Sequence, residues 1–274
     1  MATSLVDYSR LCLHTITTKP WSLAQCIEGY TKAGVPGITI WRMHLDPQGA
    51  KESGKMLRDS GLTVVSLARG GFFPATTAAE RRQAIDDNKR AIEEAAEIGA
   101  PLVVLVCGAV PGMPLAEARR QIADGIGSCI PDAEAAGVKL SIEPLHPMYA
   151  DTRSAVNTLR QANDMLSEIG SPTVGVTVDV YHVWWDAELD REIQRAGERI
   201  LSFHISDWRV PTRDMLNDRT LMGEGCVNIR EIRGWVESTG FEGFNEVEIF
   251  SHEWWATDQA QFVEKIKKAY LEYS

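Results

Sequence analysis

The sequence predicts a single-domain α/β protein, a closed (β/α)8 barrel occupying residues 1–274, and two observations carry that expectation. Eight short β-branched or aliphatic runs, at 11–16, 37–41, 62–68, 102–107, 138–143, 174–179, 200–205 and 244–250, alternate with longer helical stretches. That alternation is the pattern of parallel strands joined by crossover helices. A glycine precedes many of the runs, at Gly34, Gly61, Gly99, Gly137, Gly170 and Gly240, where a left-handed C-cap would end a helix and feed a short turn. The length agrees, because such barrels commonly take about 250 residues as one unit.

Taken in order, the first run ends near His14, and the second is followed by GAKESGKM, residues 49–56. That segment imitates a phosphate loop, but it lacks the closing Ser or Thr and reads as a solvated helix. The third run leads to Arg69 and the phrase RGGFF at 69–73. Residues 78–98 and 115–136 place Ala, Ile and Leu at three- and four-residue spacing and read as amphipathic helices. No Pro/Gly/Ser-rich linker interrupts the alternation, so a domain boundary has no place to sit. The longest irregular stretch, 206–227, follows the seventh run, on the side where long loops of a barrel cover substrate.

Composition narrows the function classes. The chain is 44% apolar and 24% charged, with a formal net charge of −10 and a pI near 5.2. A field of that sign repels phosphate backbones and anionic lipid, which argues against nucleic acid and membrane as partners. No run approaches a membrane span, and the first residues lack the pattern of a secretory signal, so a cytoplasmic location is expected. Five scattered cysteines, Cys12, Cys26, Cys107, Cys129 and Cys226, fit reduced thiols there.

Strand parity points to the chemistry. Side chains alternate between the helix-facing and axis-facing sides of a barrel strand. Placing Leu140 and Ile142, Val176 and Val178, Phe203 and Ile205, and Val247 and Ile249 outward leaves Lys139, Ser141, Glu143, Thr177, Asp179, Ser202, His204, Glu246 and Glu248 inward. A barrel axis normally carries Val, Ile and Leu, and an uncompensated buried carboxylate costs several kcal/mol. Glu143, Asp179, His204 and Glu248 stand at the strand ends where barrel enzymes place their sites, and together they suit one divalent ion, Mn²⁺ first, with Mg²⁺, Co²⁺ and Zn²⁺ also accommodated. Glu246 shares parity with Glu248 but sits about two residues lower, where pairing with Lys139 is expected.

The segments SIEPLHP at 141–147, VTVDVYHVWWD at 176–186, SFHISDWR at 202–209, MGEG at 222–225 and GFEGFNEVEIF at 240–250 resemble the xylose isomerase-like TIM-barrel superfamily of sugar phosphate isomerases and epimerases. The resemblance covers nearly the whole chain. It implies that Glu143, Asp179, His204 and Glu248 are metal ligands, that His182 and Arg209 hold substrate oxygens, and that Glu143 and Glu248 also move protons. The implied reaction is a metal-dependent isomerisation or epimerisation of a small sugar, in cytoplasmic carbohydrate metabolism. It proceeds by proton abstraction next to a carbonyl through a metal-stabilised enediolate. EPLHPMYA and RGGFF also resemble the barrel subunit of C-glycoside deglycosidases, lyases on 3-oxo-sugars that work with a small partner subunit; there His146 would be the base. A base-repair endonuclease and a catalytically silent sugar-binding barrel are more distant readings. Homo-oligomers are common in the superfamily. His14 and Arg69 are expected to reach a polyhydroxylated ligand, and Trp184 and Trp185 with Phe72 and Phe73 to supply an apolar wall, Trp185 as a substrate contact.

Overall fold

In the computed structural model, which describes residues 4–274, the β-branched runs pair in parallel as eight strands. These are Leu11–His14, Gly37–Trp41, Thr63–Gly71, Leu102–Val106, Lys139–Glu143, Val174–Asp179, Ile200–Ile205 and Asn245–Val247. Each strand hydrogen-bonds to its neighbours in chain order, and the eighth closes on the first, giving a (β/α)8 barrel. No helix among the described residues is long and apolar enough to cross a membrane.

The helices begin and end where local chemistry asks. Ser22 and Thr77 open the helices Leu23–Ala33 and Ala78–Ile98 with reciprocal capping boxes to Gln25 and Glu80. Gly99 and Gly137 close Ala78–Ile98 and Leu115–Ala136 at φ of 78° and 67°, a conformation strained for any side chain with a Cβ. The GAKESGKM segment forms the start of the helix Ala50–Ser60, as expected.

Parity holds on the outside of the barrel. Leu140, Ile142, Val176, Val178, Phe203, Ile205 and Val247 are all buried in the layer between strands and helices. The axis is polar over more of its circumference than expected, because His14, Thr39 and Ser66 from the first three strands join Ser141, Thr177, Ser202, His204 and Glu246, all buried. Two strand limits differ from expectation in ways that bear on the site. The third strand continues to Gly71 and so carries Arg69 within it. The eighth ends at Val247, leaving Glu248 one residue beyond, though its N–H still donates to the Ile205 carbonyl at 3.2 Å.

Candidate metal centre and active site

Register sets the level of the inward groups. Asp179 pairs with His204 across the sixth and seventh strands, and His204 pairs with Glu246 across the seventh and eighth. Glu143 ends the fifth strand, while Glu248 stands two residues above Glu246. The carboxylate oxygens of Glu143, Asp179 and Glu248 and a ring nitrogen of His204 consequently all lie within 4.8 Å of one another. All four residues are buried.

The lower level is saturated. The Glu246 carboxylate accepts from Thr39 Oγ1 at 2.6 Å, Ser66 Oγ at 3.2 Å and Ser202 Oγ, and it lies 3.1 Å from His14 Nε2. Burial alone would raise its pKa, but the hydrogen bond from His14 and the charges of His204 and His14 hold it at about 2. The expected partner, Lys139, is exposed instead. It is the first residue of its strand, at the opposite rim of the barrel from the ligand cluster, where an ammonium keeps its water.

The upper level is incompletely satisfied. His204 Nδ1 and Glu143 Oε1 approach to 3.2 Å, yet both are buried without a well-aligned hydrogen bond. Burial opposes protonation of His204, but Glu143, Glu246 and Glu248 surround the ring and push its pKa up to about 10. Burial raises Asp179 to about 6 against the pull of a neighbouring guanidinium. Burial would likewise raise Glu248, but that guanidinium and His14 draw it well below the ordinary range. His14 bridges the two levels, its Nδ1 standing 3.0 Å from Glu248 Oε1. Burial works against its protonation too, and the carboxylates of Glu248 and Glu246 outweigh it, raising the pKa.

Three carboxylates and an imidazole, close together and buried with unsatisfied donor atoms among them, fit a divalent cation: such ions accept a mixed O/N set, and the ion would satisfy the lone pairs that no hydrogen bond reaches.

The guanidinium belongs to Arg219, which the sequence reading missed. Its Nη1 lies 2.9 Å from Asp179 Oδ2 and 2.9 Å from Glu248 Oε2, and its Nη2 lies 3.1 Å from His182 Nε2. It arrives on the 206–227 loop through a two-residue ribbon, Asp207–Trp208 against Arg219–Thr220, whose Arg219 N–H donates to the Phe250 carbonyl at 2.9 Å. The SDWR and MGEG phrases build that support. Asp207 accepts backbone N–H groups from Gly223, Gly225 and Val227 at 2.9–3.0 Å. A Cβ at Gly225 would fall 2.3 Å from Asp207 Oδ1, so this turn excludes other residues.

Arg209 does not stand where the family resemblance implies. Its Nε lies 3.1 Å from Asp218 and its Nη2 3.3 Å from Glu253, a lateral ion network outside the cavity. Irregular backbone gives no parity, so spacing from His204 could not tell Arg209 from Arg219. His182 is where the Asp-x-x-His spacing puts it. Asp179 caps the short helix Val180–Val183 by accepting from Tyr181 N at 2.9 Å, and one turn on, the His182 ring faces back toward Asp179 at 3.6 Å. Burial and the neighbouring Arg219 push its pKa far down, so it is neutral.

His146 and Trp185 are also displaced from expectation. His146 Nδ1 accepts from Met148 N at 3.2 Å, capping the turn Pro147–Tyr149, and its ring packs on Trp208 and Trp185 at 4.9 and 5.7 Å. Only its backbone N–H reaches the site, at 3.3 Å from His182 Nδ1. Trp185 is more than a third exposed and donates its indole N–H to the His182 carbonyl at 2.9 Å. Neither side chain lines the cavity above the carboxylates. Trp184 packs on Trp208 at 5.7 Å, and Phe73 is buried against Gly125, where it fills a helix–barrel gap. Phe72 supports Arg69, whose guanidinium lies 4.2 Å from the ring.

The cavity is bounded by Glu143, Glu248, His182 and Arg219 below and by Trp41, Arg69, Tyr149, Arg153, Leu216 and Phe250 around and above. Its free interior is about 20 Å³, the room of one water, with Leu216 of the long loop in its lining and the Tyr149 hydroxyl donating to the neighbouring Met215 carbonyl. A larger groove of about 410 Å³, lined by Trp21, Lys32 and Val263, lies outside the barrel between its first and last helices, away from both ligand-type clusters found among the described residues.

The chain is 44% identical to protein SMc04130 from Sinorhizobium meliloti 1021, whose crystal structure superposes with a TM-score of 0.94 over 97% of this chain and 99% of that one. It is 24% identical to the inosose isomerase of Bacillus velezensis over 270 residues, 94% of this chain and 95% of that protein. It is 26% identical to the fructoselysine 3-epimerase of Shigella flexneri over 238 residues, 80% of this chain and 82% of that protein. Residues 27–269 match the family described as xylose isomerase-like TIM barrel, and the chain belongs to that family.

Proposed function

We propose that the chain is a divalent-metal-dependent isomerase or epimerase of a small sugar-like hydroxycarbonyl compound. The observation that carries this reading is the buried quartet of Glu143, Asp179, His204 and Glu248, within 4.8 Å of one another at the strand ends and with donor atoms left unsatisfied. Similarity to an inosose isomerase and to a 3-epimerase supports the same chemistry.

Glu143, Asp179, His204 and Glu248 would hold the ion, which when bound supplies Lewis-acid polarisation of a carbonyl oxygen. The chain's own residues supply the rest. Glu143 ends the fifth strand and Glu248 stands just past the eighth, so one carboxylate can take the proton from the carbon next to the carbonyl while the other returns one. Return to the same carbon on the opposite face inverts it; return to the neighbouring carbon moves the carbonyl. Neither outcome needs an oxidant. Arg219, whose Nε is buried without a partner, can donate to a substrate oxygen, neutral His182 accepts from Arg219 and so orients it, and the loop carrying Leu216 excludes water from the exchanging proton. The lyase reading loses its base, because the His146 ring is turned into the aromatic packing around Trp208.

The test is metal content by plasma mass spectrometry on protein purified without chelator, together with deuterium incorporation from D₂O into inosose, fructose and related ketoses. About one ion per chain and stereospecific incorporation are expected. Full exchange activity after removal of all metal would refute the reading.

A further inference from the structure

The cavity holds more positive charge than its carboxylates use. Of its three arginines, Arg219 is paired with Asp179, Glu248 and His182, with only its Nε left without a partner. Arg69 and Arg153 are different: among the described residues, neither guanidinium makes a hydrogen bond or an ion pair, and Arg153 Nε is buried without a partner. Arginines elsewhere in the chain, such as Arg42, Arg195 and Arg213, are bound to carboxylates.

The two are held by aromatic rings. Arg69 lies 4.2 Å from the Phe72 ring centroid and Arg153 lies 5.7 Å from that of Tyr149. Contact with a ring face fixes a guanidinium and leaves its N–H edge free for a planar or tetrahedral anion. Their juxtaposition has a cost: burial and then the Arg153 charge pull the Arg69 pKa down to about 10. A bound anion would offset both effects.

We propose that Arg69 and Arg153 form an anion-recognition site on the wall of the cavity, and that the compound turned over is a polyhydroxylated carbonyl compound carrying a carboxylate or phosphate group. This rests on the proposed reading of the metal centre and adds the substrate class to it. The carbonyl end lies over Glu143 and Glu248, and the anionic group lies against the two arginines that border the same cavity.

Isothermal titration of the metal-loaded protein with glucitol, gluconate, glucitol 6-phosphate and inorganic phosphate tests this. Gluconate or glucitol 6-phosphate is expected to bind on the order of tenfold or more tighter than glucitol, and the one that gains identifies carboxylate or phosphate as the group recognised. Arg153→Gln and Arg69→Gln should each remove most of that advantage while glucitol affinity stays within about twofold, and Arg153→Lys should restore part of it. Equal affinity for charged and neutral polyols, no arginine-dependent binding of any anion, or equal losses for glucitol and the anions in the variants overturns the proposal. Metal content and solvent deuterium exchange, measured on the same preparations, separate this outcome from failure of the metal-centre reading. An intact metal and exchange with no anion preference sinks only the anion site, whereas an arginine-dependent anion preference in protein that takes up no metal sinks only the centre.

Discussion

Two levels of the barrel axis carry buried carboxylates, and they treat them in opposite ways. At the lower level Glu246 is surrounded by Thr39, Ser66, Ser202 and His14, and both its oxygens are satisfied. At the upper level Glu143 and His204 approach each other without a well-aligned bond, while Asp179 and Glu248 share one guanidinium. The same functional group is structural where its hydrogen bonds are complete and available for chemistry where they are not. A buried acceptor lacking a donor loses solvation without recompense, and persists where a ligand supplies the missing charge.

The sharpest way to break the comparison is at the upper level. Asp179→Asn and Glu248→Gln should each abolish metal retention and lower deuterium exchange by a factor of about 10² or more. The apo Asp179→Asn variant should unfold within about 1 kcal/mol of the apo wild type or above it, because burial already disfavours that charge, whereas apo Glu248→Gln should be less stable than wild type, because Arg219 and His14 favour the ionised carboxylate. Loss of folding in both variants would make the upper level structural as well.

The next largest effect belongs to the lower level. Glu246→Leu strands His14, Thr39, Ser66 and Ser202 without their acceptor and should cost about 3–5 kcal/mol, read as a fall in the urea midpoint. Smaller still is the loop that carries Arg219. Asp218→Asn loosens Arg209 and Arg213 and should raise KM several-fold, with faster proteolytic nicking between 209 and 218, while metal content holds. Lys139→Gln should change stability by no more than about 0.5 kcal/mol, since its ammonium is solvated and pairs with no axial carboxylate. A large effect there would restore the pairing with Glu246 that the structure replaces with His14.

Regular backbone made much of this legible in advance. Strand parity placed Glu143, Asp179, His204 and Glu248 on the axis and at one end, because a period of two leaves little freedom once the apolar face is identified. The family resemblance, carried by Asp-x-x-His, pointed to His182, and the turn capped by Asp179 is what brings its ring back to the site. Arg219 and Arg153 were illegible for the complementary reason. Each sits on irregular backbone, where sequence distance carries no direction, and only the ribbon held by Asp207 and Phe250 aims Arg219 inward. His146 shows the reverse error: three residues after a metal-type ligand, it is turned away by the Pro147–Tyr149 turn that it caps.

The sequence by itself determined the barrel, its apolar outer layer and the inward carboxylates, all consequences of local periodicity and of glycine-capped helix ends. Tertiary structure decided which buried acid is satisfied, which arginine reaches the acids and which two stay free, because those outcomes depend on partners brought together from strands and loops far apart in the chain. Glu246 meets Thr39 across 207 residues and Arg219 meets Asp179 across 40. Hydrogen bonds over such separations are fixed by barrel closure and strand register, and no local pattern records them.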